Sequence, residues 1–201
     1  MKGLQKLTSI RLAEVLTQKG VIPAETITDA LYVQDKHGEP FVDNLIGSGH
    51  ISEWDLARVV VENFQLPFIL AGNYEVSAEA RDRLKKEVLF ETLMVPLDVF
   101  GDVLTVAMPI LTPYQTLQQI QKDYEVLIFP YVGLVSENKK VMSDLFEDFS
   151  GWFAKSAEDK QSQAAQRSQQ TEGGEGQGEG DWMNIFDSGD KAVKSSLDKK
   201  K

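Results

Sequence analysis

Leu12-Ala13-Glu14-Val15-Leu16 followed by Gly20-Val21-Ile22-Pro23, and Phe41-Val42-Asp43-Asn44-Leu45 followed by Gly49-His50-Ile51-Ser52, are two copies of one pattern set 29 positions apart. Leu16 falls on Leu45, Gly20 on Gly49, Ile22 on Ile51, Ile27 on Leu56 and Leu31 on Val60. Self-similarity at a fixed period marks a supersecondary unit used twice. Each copy reads as a short helix, a glycine stop, an apolar anchor and a longer helix. Gly20 suits the left-handed position that ends many helices. The spacing predicts an apolar face on the first helix from Ile10, Val15 and Leu16, continued by Ile27, Ala30 and Leu31 on the second. In the second copy Ser52 is a good N-cap, with Asp55 three residues later in a capping-box-like position. Neither helix pair can bury its apolar stripe alone, so the two copies are expected to pack as a four-helix layer over residues 1–65.

Beyond Gln65 the pattern changes. Leu66-Pro67-Phe68-Ile69-Leu70 reads as a short strand, and Ser77 as the cap of a helix running to about Lys86. Val95–Val99 and Val103–Ala107 read as strands joined through Phe100-Gly101-Asp102, a hairpin with glycine available for positive φ. A helix over about 114–122 follows, then a strand over 126–131 whose Pro130 points to an edge. Ser136 opens a last helix expected to run to about Phe153. This order of elements gives an α+β protein: a four-helix repeat subdomain over 1–65 and a small α/β subdomain over 66–153.

Residues 154–201 are rich in Gln, Ser, Gly, Glu and Lys, and read as a disordered low-complexity tail. Within it Trp182, Met183, Ile185 and Phe186 form an apolar island between acidic residues, a candidate partner-binding motif. The competing reading is a helix-prone stretch that folds back on the body. The net charge is -10, and the tail holds eight Lys and Arg against nine Asp and Glu, so nearly all of that charge belongs to the body. Such a surface disfavours nucleic acid, which needs a concentrated basic face. There is no cysteine, so disulfide and thiolate chemistry are excluded. No signal peptide is visible after Met1, and no apolar run is long enough to cross a bilayer. A cytoplasmic protein without a membrane span is the expectation.

The catalytic patterns sought are absent from the sequence. There is no Gly-x-x-x-x-Gly-Lys-Ser/Thr string to cradle phosphates and no Gly-x-Ser-x-Gly elbow. His37 and His50 are isolated turn residues without metal-ligand spacing. Glu53 and Asp55 read as helix-start charges favoured by the macrodipole. No enzyme, no catalytic residue, no metal and no resident cofactor are expected.

Residues 8–150 resemble the N-terminal domain of type II secretion and type IV pilus assembly ATPases, also called MshEN. That resemblance implies a helical N-subdomain, an α/β C-subdomain, and cyclic diguanylate as a ligand of many members. The family's ligand motif is matched in the first copy by Arg11, Leu12, Leu16, Gly20, Ile22, Ile27, Leu31 and Gln34. An Arg there pairs with phosphate or stacks on guanine, and a Gln bonds a base edge. Ala13 stands where the family has Gly. In the second copy Pro40 stands at the Arg position, Val42 at the Gly position and Asn63 at the Gln position. The resemblance covers the input domain and no motor. It implies a regulatory module that meets a protein partner, a secretion or pilus assembly component, with cyclic diguanylate sensing as the alternative.

Overall fold

The computed structural model describes residues 2–156; the tail from 157 on, with its apolar island at 182–186, lies outside them, whereas residues 154–156, expected in the tail, are helical. The elements are α1 (Lys2–Lys6), α2 (Ser9–Lys19), α3 (Ala24–His37), α4 (Phe41–Gly47), α5 (Glu53–Phe64), α6 (Ala78–Arg83), α7 (Lys86–Thr92), β1 (Val95–Phe100), β2 (Val103–Met108), α8 (Tyr114–Tyr124), β3 (Leu127–Val132) and α9 (Val135–Leu145). The protein is α+β, as the sequence implies.

The two copies are equivalent in three dimensions. Gly20 and Gly49 both adopt the left-handed conformation, φ 62° and 73°. Nothing would touch a Cβ at either position, so backbone conformation alone calls for glycine. Leu16 and Leu45 are fully buried, and so, nearly, are Ile22 with Ile51 and Ile27 with Leu56. Helix α2 packs on α3 and α5, and α3 packs on α4. Ser52 caps α5 as expected, its Oγ accepting from the Asp55 N–H at 3.1 Å. Two details differ from the expectation. Ile10 is 68% exposed, so the buried face of α2 is Leu12, Ala13 and Leu16 instead. The layer also gains α1, seated on α5 by the buried Leu4 and Leu7.

The sheet has the order β1-β2-β3. β1 and β2 form the predicted antiparallel hairpin, turning through Gly101 at φ 61°. β3 runs parallel to β2, which requires the crossover supplied by α8. The predicted strand at 66–70 shrinks to one bridge, Phe68 to Val132. Its bonds are Val132 N–H to the Pro67 carbonyl at 2.7 Å and Ile69 N–H to the Val132 carbonyl at 3.0 Å. The next edge position on β3 is Pro130, which has no N–H, so the ladder stops there.

Two helices differ from their predicted extents. Ser77 does cap α6, accepting from Ala80 N–H at 3.1 Å, but that helix ends at Arg83. Leu84 leaves the helix in extended backbone to bury its side chain, and α7 starts afresh. The single C-terminal helix breaks at Phe146, with a second helical stretch over 149–156. The break gathers Phe146, Phe149 and Trp152 around Phe90, with ring centroids 5.1–5.4 Å apart. A Lys86–Asp148 ion pair ties the turn to α7.

Among the described residues, three other than glycine take left-handed φ: Gln65, Leu93 and Glu125, at 54°, 52° and 50°. Each ends a helix, a place where glycine is usual. The left-handed conformation costs an L-residue roughly 1–2 kcal/mol. Glycine removes that cost but adds roughly 0.5–1 kcal/mol of chain entropy. Gln65 is exposed, and Gln65→Gly is therefore expected to stabilise the protein by about 0.5–1 kcal/mol, read as a higher urea midpoint at unchanged slope.

Candidate functional site

The motif residues of the first copy divide by burial. Leu12 and Leu16 are 0% exposed, Ile22 5% and Ile27 3%, all within the hydrophobic core, and Leu31 packs against that core half-buried. These side chains hold α2 and α3 together, and of them only Leu31 keeps part of its surface in solvent. Arg11 lies outside, exposed, in an ion pair with Glu14 one turn along α2. Such a surface pair is worth little and releases its Arg readily. Gly20 is exposed and ends α2. Gln34 is half-buried in the last turns of α3, and its Oε1 is buried without a hydrogen-bond partner among the described residues.

The departures in the motif have a structural consequence. Ala13 and Val42, at equivalent repeat positions, are both 6% exposed and point into the core. Their methyl groups fill interior volume. Pro40 is exposed and precedes the first turn of α4. Asn63 bonds back to its own helix, Nδ2 donating to the Val59 carbonyl at 2.7 Å. The second copy therefore supplies neither a cation nor a free amide at the positions where the first has Arg11 and Gln34. For a cyclic dinucleotide the fit is partial: an exposed guanidinium and an unpartnered buried acceptor in one copy, and no counterpart in the other.

Other long-range contacts are not legible in the sequence. Glu53, read as a helix-start charge, reaches 83 positions along the chain: its Oε1 accepts the Ser136 N–H at 3.0 Å and its Oε2 the Ser136 hydroxyl at 2.6 Å. It thereby caps α9 with a carboxylate, joining the repeat to the α/β part. The adjacent Trp54 stacks on Phe68, centroids 5.5 Å apart, at the same junction. No pattern within the sequence links Glu53 to Ser136. His37 is exposed in the last turn of α3 and so is not the turn residue its sequence context suggests, and His50 is exposed in the bend after Gly49. No group of three His, Asp or Glu fit to hold a metal occurs among the described residues. No helix among them is long and apolar enough to cross a membrane.

The outward face of the sheet leaves apolar side chains in solvent. Phe100, Val103 and Leu127 lie side by side across β1, β2 and β3. Phe100 is 61% exposed and Leu127 60%, and Phe129 two positions on is 38% exposed. Phe129 packs edge-on against Tyr131, centroids 5.4 Å apart. At the far end Tyr74 donates to Asp98 at 3.4 Å. Loss of solvent around the Tyr74 phenol raises its pKa, and the Asp98 carboxylate raises it further.

No family model matches the chain, and no curated relative does. Its fold is nevertheless found among solved structures. A structure of MshE with cdg matches 67% of this chain and 98% of that chain, with TM-score 0.56 and 18% identity. The N-terminal domain of XpsE matches 67% of this chain and 92% of that one, with TM-score 0.52 and 19% identity. The chain thus has an MshEN-like fold, the fold of the MshE and XpsE N-terminal domains. The resemblance carried by the repeat holds at the level of fold.

Proposed function

We propose that this protein is a non-catalytic regulatory module that works through protein contacts, its partner a component of a secretion or pilus assembly machine. One observation carries the reading. The motif leucines and isoleucines that a ligand surface would need are spent on the core, while large apolar side chains elsewhere stand in solvent, Ile10 at 68% and Phe100 at 61% among them. Contiguous exposed apolar surface with a polar rim is the usual mark of a protein contact. The fold shared with the MshE and XpsE structures supports that class of partner. The tail island at Trp182, Met183, Ile185 and Phe186 is proposed as a second contact. Affinity isolation on the tagged full chain, followed by titration of each purified candidate, tests this. A secretion or pilus component that binds directly with a micromolar or tighter Kd is expected, and the reading fails if none of the purified candidates binds.

The second reading is a cyclic diguanylate sensor built on Arg11, Gln34 and Gly20, with Leu12, Leu16, Ile22, Ile27 and Leu31 as its framework. Two observations favour it: the MshE structure was solved with cdg, and Gln34 has an unpartnered buried Oε1. On this reading Arg11→Ala removes a charge-assisted bond to phosphate. The loss is about 1.5–3 kcal/mol, or one to two decades in Kd. Titration calorimetry of the wild type and the variant reads it directly.

A further inference from the structure

The three-stranded sheet is closed at its edges and open on its face. Along the outer side of β3, the Ile128 N–H donates to Gln121 Oε1 at 2.9 Å and the Val132 N–H to the Pro67 carbonyl at 2.7 Å. Pro130 between them has no N–H to offer. Along β1, Pro96 likewise lacks a donor, the Val99 N–H donates to the Asp98 carboxylate at 2.9 Å, and the Leu97 carbonyl accepts from Ser77 at 3.1 Å. Occupied donors and prolines are the devices that keep a sheet edge from adding a strand. A partner strand has no ladder to join at β3, so the sheet meets a partner through its face.

That face has a defined size and charge. Phe100, Val103 and Leu127 occupy neighbouring strands, so they span roughly 10 Å at the usual strand spacing. That width matches the roughly 10–12 Å diameter of one α-helix. The rim is acidic. Asp98 lies in the row next to Phe100, joined to Phe129 through Thr105. Asp102 and Glu125 line a shallow open depression beside Leu127, where Lys122 also sits. A second copy of this chain, carrying -10 overall, would bring acidic rim against acidic rim. An anionic membrane surface is disfavoured for the same reason.

We infer that the outward face of β1-β2-β3, centred on Phe100, Leu127 and Phe129, docks a basic amphipathic helix of a partner protein. The apolar stripe of that helix covers the three side chains, and its Lys or Arg flanks meet Asp98, Asp102 and Glu125. This rests on the protein-contact reading and adds to it a surface and a partner chemistry.

The test uses the isotopically labelled full chain and an 18-residue Leu/Lys model peptide with helical apolar spacing. A scrambled peptide of the same composition and a Leu/Glu peptide serve as comparators. Amide shift changes on adding the Leu/Lys peptide are expected to concentrate on β1, β2 and β3. Phe100→Ser with Leu127→Lys, both at exposed positions, is expected to weaken binding at least tenfold without changing the unfolding midpoint. Asp102→Asn with Glu125→Gln is expected to weaken it several-fold and to flatten its salt dependence. Equal binding of the scrambled or Leu/Glu peptide, shift changes away from the sheet, or unchanged affinity of the Ser/Lys double variant would each overturn the assignment. So would sedimentation showing a wild-type dimer that the double variant converts to monomer. A purified natural partner that binds wild type and double variant alike would leave the protein-contact reading standing and overturn this surface alone.

Discussion

Asn138→Ala is expected to destabilise the protein by about 2–4 kcal/mol, a large effect for a polar substitution. Asn138 is 0% exposed, on the face of α9 turned to the sheet. Its Nδ2 donates to two carbonyls, Leu93 and Ala107, each at 2.9 Å. Those bonds tie α9 to the end of α7 and to β2 at once. Leu93 is one of the left-handed residues, so the amide also holds a strained turn in place. The partly buried Leu93 carbonyl and the buried Ala107 carbonyl each lose this donor, at roughly 1–3 kcal/mol apiece, offset in part by removal of the side chain's own buried Oδ1, which has no hydrogen-bond partner among the described residues. Asn138→Asp should be worse than Asn138→Ala. It is nearly isosteric, but it sets a carboxylate against the same two carbonyl oxygens at a fully buried position. Urea unfolding monitored by tryptophan fluorescence ranks the two variants. An aspartate as stable as the wild type would show that the amide bonds hold nothing together.

The second large effect concerns the repeat. Leu16→Ala and its counterpart Leu45→Ala remove side chains that are both 0% exposed. Each is expected to cost about 2–5 kcal/mol, the range for a leucine truncated in a packed core. Because the copies are equivalent, the two losses should be similar. Arg11→Ala in the same motif should change stability by less than about 0.5 kcal/mol, since its side chain is exposed and its ion pair with Glu14 lies in solvent. This contrast separates two roles within one motif. If Leu16→Ala leaves the unfolding midpoint near the wild-type value, the leucine is not core, and a ligand-lining role regains its ground.

The repeat was the most legible part of the molecule because its signals are local. Gly20 and Gly49 announce their conformation, and helical spacing of Leu16, Ile27, Leu45 and Leu56 announces their burial. Ile10 has the helical spacing of the stripe, but in the first turn of α2 the helix rotation turns it to solvent. The hairpin was legible through Gly101. The α/β part was less so wherever a tertiary contact overrode local pattern. Leu84 interrupts a helix to reach the core, and Phe146 breaks another so that three aromatic rings meet Phe90. Pro130 was seen as an edge marker, but its effect on a neighbour 62 residues earlier, cutting the strand at Phe68 to one bridge, required the register. Of the candidate motif, Arg11 and Gln34 were legible as polar positions. Their neighbours' burial was not, because a ligand stripe and a core stripe have the same spacing. Glu53 and Asn138 act across 83 and 31–45 positions respectively, and no window of sequence contains such a pair.

The central claim is that the repeat's motif residues serve the fold, and that the protein acts through contacts with other proteins. Calorimetric titration of the full chain with cyclic diguanylate tests it most directly. The account predicts no saturable heat below about 100 µM ligand, because the second copy has Pro40 and Asn63 where a twofold ligand needs a cation and an amide. A saturable isotherm in the low micromolar range, weakened ten- to a hundredfold by Arg11→Ala, would contradict it.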